Sequence, residues 1–122
     1  MSGSGTPFSG TNIWPMGFNG VATGLSAAGS TRTDATVLTK QVNNVATVSA
    51  STTGVVLPAL VMGVPITVFN ASATAMHVYS AGSDQIDGVV GTTGVVLSGG
   101  KGAIFWPVAA NNYYSWSGAK SA

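Results

Sequence analysis

Short runs of β-branched and apolar residues alternate with turn-forming residues over most of the chain. From Ala35 onward these runs recur about every 8 to 12 residues, the spacing typical of a sandwich or barrel. Each run is too short for a stable helix. The pattern predicts about eight strands, at 35–39, 45–50, 54–57, 66–70, 75–79, 94–97, 103–108 and 113–117.

The run Ile66 to Asn70 has a distinctive alternation. Ile66, Val68 and Asn70 fall on one face and Thr67 and Phe69 on the other, so both faces are largely apolar. This predicts a central strand. Turn residues on both sides of the following run predict that the two runs form an antiparallel hairpin, and the Asp87-Gly88 pair predicts a further tight turn.

Residues 1–35 have a different texture. They are rich in Gly, Ser, Thr and Ala, and neither strand nor helix periodicity survives. A disordered tail is one interpretation. The other is an extended arm whose apolar side chains enter a partner's pocket, and we favour it because a pure linker does not need large aromatics. The predicted anchors are Phe8, Ile13, Trp14 and Phe18.

The chain carries few charged residues, and this limits the classes of partner that it can bind. Only 6% of the residues are charged, Glu is absent and the net charge is +1, with the basic residues scattered along the chain. This distribution offers no electrostatic footprint for nucleic acid. A surface with so few charges lacks the usual deterrent to association, so we expect a homo-oligomer.

Cysteine is absent, which excludes a disulfide framework, a thiolate metal site and a cysteine nucleophile. The N-terminal residues have neither a basic nor an apolar signal region, so we expect no secretory signal. The longest apolar stretch, Val55 to Phe69, contains two prolines and is shorter than the roughly 20 residues of a spanning helix. We therefore expect no membrane insertion.

Candidate catalytic chemistry is sparse. His77 is the only histidine, and although a Ser-His-Asp triad is formally possible, no nucleophile-elbow motif accompanies any serine. We therefore interpret His77 as a strand-face or interface histidine and predict neither an enzyme nor a cofactor. An enzyme that uses His77 stays open as the weakest alternative.

Two loop motifs have a structural and a functional interpretation. Asp84 and Asp87 could contribute to a calcium-like site, but hard cations usually need six or more oxygen ligands, so we favour turn-stabilising hydrogen bonds and predict no metal. The stretch Gly99 to Gly102 superficially resembles a phosphate loop. It lacks the required first glycine and the Ser or Thr after Lys101, so we predict a hairpin turn.

Five aromatic residues lie near the C-terminus: Phe105, Trp106, Tyr113, Tyr114 and Trp116. Alternation places Tyr113 on the opposite face from Tyr114 and Trp116. We favour a role in the core and in contacts between subunits, with a carbohydrate groove as the alternative.

The hexapeptide Thr-Thr-Gly-Val-Val-Leu occurs twice, at 52–57 and 92–97. Two copies are too few for a repeat protein, where about three or more are needed. Two similar turn-strand units and a coincidence of composition both stay open.

The second half of the chain resembles a β module of tailed-phage virion proteins, found in capsid decoration or cement proteins and in fibre parts. The segments that carry the resemblance cover about half of the chain and contain turn motifs without an active site. They are 57–59, 66–70, 78–79, 82–88, 100–105 and 113–116.

The resemblance implies a jelly-roll-like antiparallel β-sandwich. Together with the change of texture at residue 35, it predicts a single such domain at 36–122, preceded by the extended arm at 1–35. It also implies a capsid cement or decoration protein that is assembled in the host cytoplasm and braces the major capsid protein on the virion surface. We favour a homotrimer. We expect neither nucleic acid nor a membrane to be a partner. The alternative function is a receptor- or glycan-binding fibre or spike domain.

Overall fold

The computed structural model describes residues 20–119, and this part of the chain is all-β, as the sequence predicts. Short β-branched segments form the strands, and one 3-10 turn, Arg32–Asp34, lies between the first two. The eleven strands are β1 (Val21–Ser26), β2 (Thr36–Val37), β3 (Val42–Thr47), β4 (Gly54–Val56), β5 (Ile66–Asn70), β6 (Met76–Tyr79), β7 (Gln85–Ile86), β8 (Val89–Val90), β9 (Val95–Leu97), β10 (Lys101–Ala109) and β11 (Asn112–Ala119).

The first six strands alternate between two sheets. The odd-numbered strands β1, β3 and β5 pair in parallel in one sheet, and the even-numbered strands β2, β4 and β6 pair in parallel in the other. The chain therefore winds through three successive coils, and each coil adds one strand to each sheet. This arrangement is solenoid-like.

Strands β7 to β11 complete both sheets, and all of their pairings except that of β11 with β7 are antiparallel. The large sheet has the order β1-β3-β5-β10-β11-β7-β8, and the small sheet has the order β2-β4-β6-β9. The β7–β8 hairpin turns at Asp87 and Gly88, both with positive φ, as predicted for this tight turn.

The predicted jelly-roll-like antiparallel sandwich is not confirmed. Five of the nine strand pairings are parallel, and a parallel pair needs a connection that leaves the sheet and returns. The predicted hairpin between β5 and β6 is also wrong, because these two strands belong to different sheets. β5 is central, between β3 and β10, as predicted.

The β body begins earlier than the predicted boundary. Strand β1 lies within the segment predicted to be the arm, yet it pairs with β3 from Val21 to Ser26. The body therefore includes residues 20–35, and the domain boundary predicted after residue 35 is corrected accordingly. A signal for β1 was absent because Thr, Gly and Ser interrupt its apolar positions.

The core lies between the two sheets. Its members come from both sheets and are almost fully buried, among them Val45, Val55, Val68, Val78 and Phe105. Such burial of aliphatic and aromatic side chains is the main stabilising term of the fold.

Buried Asn70 ends β5 and fixes the turn that follows. Its amide nitrogen donates to the carbonyls of Thr74 (2.8 Å) and Leu97 (3.0 Å), and its Oδ1 accepts from the backbone N–H and the hydroxyl of Ser72. Every polar atom of the side chain is thus paired, which allows an asparagine to be buried in this position. The bond to Leu97 also ties β5 to β9 of the other sheet.

The two Thr-Thr-Gly-Val-Val-Leu segments occupy related positions. They provide β4 and β9, which flank β6 in the small sheet but run in opposite directions. Gly54 and Gly94 both lie against the Tyr79 ring, where an added Cβ would approach ring atoms to 2.8 Å and 2.7 Å. The repeated glycines therefore make room for one aromatic side chain.

Candidate functional site

Strands β10 and β11 form a long hairpin that separates its aromatic residues between two faces. Phe105 and Tyr113 point into the core and are buried, while Trp106, Tyr114 and Trp116 are on the outer face. The predicted alternation of Tyr113 against Tyr114 and Trp116 is confirmed. The outer residues are 42%, 52% and 72% exposed, respectively, so large apolar surface is left open.

Cross-strand register assembles these residues into a patch. Trp106 is paired with Tyr114, and Ile104 with Trp116, so four large side chains occupy two neighbouring rows. Phe69 extends the patch onto β5, beside Gly102. We call this surface of the large sheet the outer face.

The outer face is free of charge over the strands described. Lys101 is the only charged residue within any of these strands, and alternation places it on the other side of β10 from Ile104 and Trp106. Outside the strands, Asp87 of the β7–β8 turn lines a pocket beside Tyr114. Large exposed apolar patches often mark interaction surfaces in proteins.

A groove of about 310 Å³ crosses one end of the outer face. Gly102 and Gly118 face each other across β10 and β11 and form its floor. The Phe69 ring lies over Gly102, where a Cβ would come within 2.6 Å of it, whereas the space above Gly118 is open. Phe69 on one side and Trp116 on the other therefore bound a slot that could receive another apolar side chain.

Tyr113 fixes the hairpin to the core from the inside. Its hydroxyl donates to the Pro58 carbonyl at 3.0 Å, and its ring is fully buried. Burial, together with the nearby Asp84 carboxylate, raises the pKa of Tyr113 well above its usual range because both disfavour a phenolate. The neutral hydroxyl thus stays available as a donor.

Asp84 and Asp87 make structural hydrogen bonds. The Asp84 carboxylate accepts from the backbone N–H of Leu60 (2.8 Å) and from the Asn111 amide (2.9 Å). The Asp87 carboxylate accepts from the backbone N–H of Ser115 at 2.8 Å and from its hydroxyl. Over residues 20–119, no group of three or more His, Asp or Glu side chains is arranged to hold a metal ion.

His77 lies on the outer side of the small sheet. Its ring stacks on Tyr79 with a centroid distance of 5.7 Å, and its Nδ1 lies 3.0 Å from the Ser51 carbonyl oxygen. Because that oxygen can only accept, Nδ1 carries the proton. The residue is thus a strand-face histidine, as predicted.

Other predicted positions are distributed as follows. Gly99 and Gly100 lie in the turn before β10, in accordance with the turn prediction. The predicted arm anchors Phe8, Ile13, Trp14 and Phe18 lie outside the described residues.

Phe69 and Gly118 belong to the groove but were not predicted as site residues. The alternation of Phe69 with Ile66 and Val68 was the available signal for the first. Gly118 had none, because its role depends on the pairing of β11 with β10.

No helix in the part of the chain described is both long and apolar enough to cross a membrane. Comparison of the chain with known protein families, curated proteins and solved structures finds no match.

Proposed function

We propose that the chain is a structural virion protein, a capsid cement or decoration protein that binds the shell of the major capsid protein through its outer face. The observation that carries the proposal is the exposed, uncharged row of Trp106 and Tyr114, flanked by Val108 and Trp116. Trp and Tyr are enriched among the residues that dominate protein–protein binding energy. The resemblance of the second half of the chain to phage virion modules supports the choice of partner.

Stabilisation of the shell would follow from mass action. A protein that binds only the assembled shell lowers the free energy of that state by its own binding free energy, and the gain is repeated at every occupied site. Copies joined in a homo-oligomer, for which we favour a trimer, would hold neighbouring shell subunits together with higher avidity than separate chains.

Cosedimentation with capsids of the phage that encodes the chain tests the proposal. We expect the wild-type protein to bind, and Trp106→Ser to bind roughly 30-fold more weakly, because truncation of a central anchor costs about 2 kcal/mol or more. The matched control is Val96→Ser, which removes an exposed apolar side chain from the other sheet and should leave binding unchanged. Equal binding by Trp106→Ser would show that the outer face is not the docking surface.

A receptor- or glycan-binding fibre domain is the second candidate. It is favoured by the exposed rings of Trp106, Tyr114 and Trp116, since aromatic faces can stack on sugars. Sugar sites also need several polar groups beside the ring, and the groove offers few polar side chains, namely Thr67 and Ser117. Glycan-array binding by the purified protein, without binding to capsids, would decide for this candidate.

A further inference from the structure

The chain enters the large sheet in line with the groove. Pairing through five strands places Val21, Val42, Thr67, Ile104 and Trp116 in one row across the sheet. This row leads from the edge strand β1, where the described residues begin, to the slot between Phe69 and Trp116. The preceding residues are therefore attached at one end of a path that crosses the outer face.

The backbone bends at Gly20, immediately before β1, and this bend permits the preceding residues to turn towards the outer face. Gly20 has a φ of +128°, a value that residues with a side chain rarely adopt. Its carbonyl still accepts from the Val42 N–H at 3.1 Å, so the bend comes at the point where β1 begins. The backbone can change direction there without breaking the first hydrogen bond to β3.

Length favours Trp14 over Phe18 as the residue that reaches the groove. Four strand spacings separate β1 from β11, about 19 Å at roughly 4.8 Å each. Seven residues separate Val21 from Trp14, and an extended segment of that length reaches about 23 Å at roughly 3.3 Å per residue. Phe18, three residues before Val21, reaches about 10 Å and so cannot extend past β5.

The absence of charged side chains on both partners also favours Trp14 in the groove. Residues 1–19 carry no charged side chain, and neither does the outer face of the described strands.

We propose that residues 14–19 of the same chain cross the outer face and that the Trp14 indole occupies the groove between Phe69 and Trp116. The tether makes this an intramolecular contact, which is favoured by a high effective concentration. The Trp106–Tyr114 end of the outer face stays free, so the proposal is independent of capsid binding.

Solution NMR of the full chain tests the contact. In Trp14→Ser we expect the backbone amide signals of Gly102 and Gly118 and the methyl signals of Ile104 to shift, because a ring current above them is lost. Signals of Val37 and Val96, on the other sheet, should not move. Phe8→Ser is the matched control, since it removes an aromatic residue from the same segment and should leave the groove signals in place.

The converse variant fills the slot. Gly118 has open space at its Cβ position and no positive φ, so Gly118→Val should fold normally. We expect it to displace Trp14, with the Trp14 indole N–H signal moving towards its position in an unfolded chain. Ala109→Val, an exposed change at the other end of the hairpin, should leave that signal unchanged.

The proposal is overturned if Trp14→Ser leaves the signals of Gly102, Gly118 and Ile104 unmoved, or if Phe8→Ser shifts them equally. Dilution distinguishes the source of the segment. Groove signals that do not depend on concentration support the chain's own Trp14, and signals that revert on dilution assign the contact to a second copy and overturn the intramolecular form. None of these outcomes depends on whether the protein binds capsids.

Discussion

Tyr113 illustrates how one residue connects the hairpin with the core. It is the largest fully buried side chain, and its hydroxyl reaches the Pro58 carbonyl in the connection between the sheets. Since a buried phenolate would be both desolvated and close to Asp84, the folded state strongly prefers the neutral form.

This preference predicts a loss of stability in alkali. Above about pH 10 the unfolded chain releases the Tyr113 proton while the folded chain keeps it, so the free energy of unfolding falls as the pH rises. Urea unfolding between about pH 8 and pH 11 measures this slope. Tyr113→Phe should reduce the slope, because it removes the buried hydroxyl whose proton is retained in the folded state. An unchanged slope in Tyr113→Phe would contradict the prediction.

The faces on which single aromatic residues of the site lie could be predicted from the sequence. Alternation separated Tyr113 from Tyr114 and Trp116 correctly. It could not bring Trp106 beside Tyr114 or Phe69 beside Gly102, because cross-strand neighbours depend on register, which is set by turns and by the packing of the whole sheet.

At the scale of elements, the small sheet depends on glycines that leave room for Tyr79. A Cβ at Gly54 would lie 2.6 Å from the His77 carbonyl oxygen and 2.8 Å from the Tyr79 ring. Both neighbours are held by strand β6, so neither can move freely.

Gly54→Ala should therefore lower the free energy of unfolding by about 1 to 3 kcal/mol, the usual cost of overpacking. Urea unfolding of the variant and of the wild-type protein provides the comparison. If Gly54→Ala were as stable as the wild type, close packing around Tyr79 would not be the reason for the glycine.

Eight predicted runs correspond to strands, and Ile66–Asn70 has the predicted bounds. Strands β7 and β8 were not predicted because two residues each are too few to show a period. The error about β5 and β6 has a different origin. Turn residues mark where a chain changes direction, but a turn that joins two strands of one sheet and a turn that passes to another sheet use the same residues.

For the molecule as a whole, coils that contact only their neighbours predict a gradient of local stability. Strands β5 and β6 have a partner on each side and contain fully buried Val68 and Val78, whereas β1 and β8 are edges of the large sheet. Native-state hydrogen exchange should therefore be slower at the amides of Val68 and Val78 than at the amides of β1 and β8, by roughly a hundredfold or more. Uniform protection would indicate a single cooperative unit instead.

The class of the fold was accessible from composition, whereas its topology was not. Abundant Val and Thr with few helix formers predicted an all-β chain. Parallel pairing of β3 with β5 joins residues that are 25 positions apart, such as Val42 and Thr67, and no local pattern encodes such a partner.

The coiled path also has an evolutionary consequence. Val21, Val42 and Thr67 are successive partners in the large sheet, separated by 21 and 25 residues. Duplication or deletion of a segment of that length would add or remove one coil while leaving both neighbours with a strand to pair with. The height of this body can therefore change in single steps, without redesign of the β10–β11 hairpin.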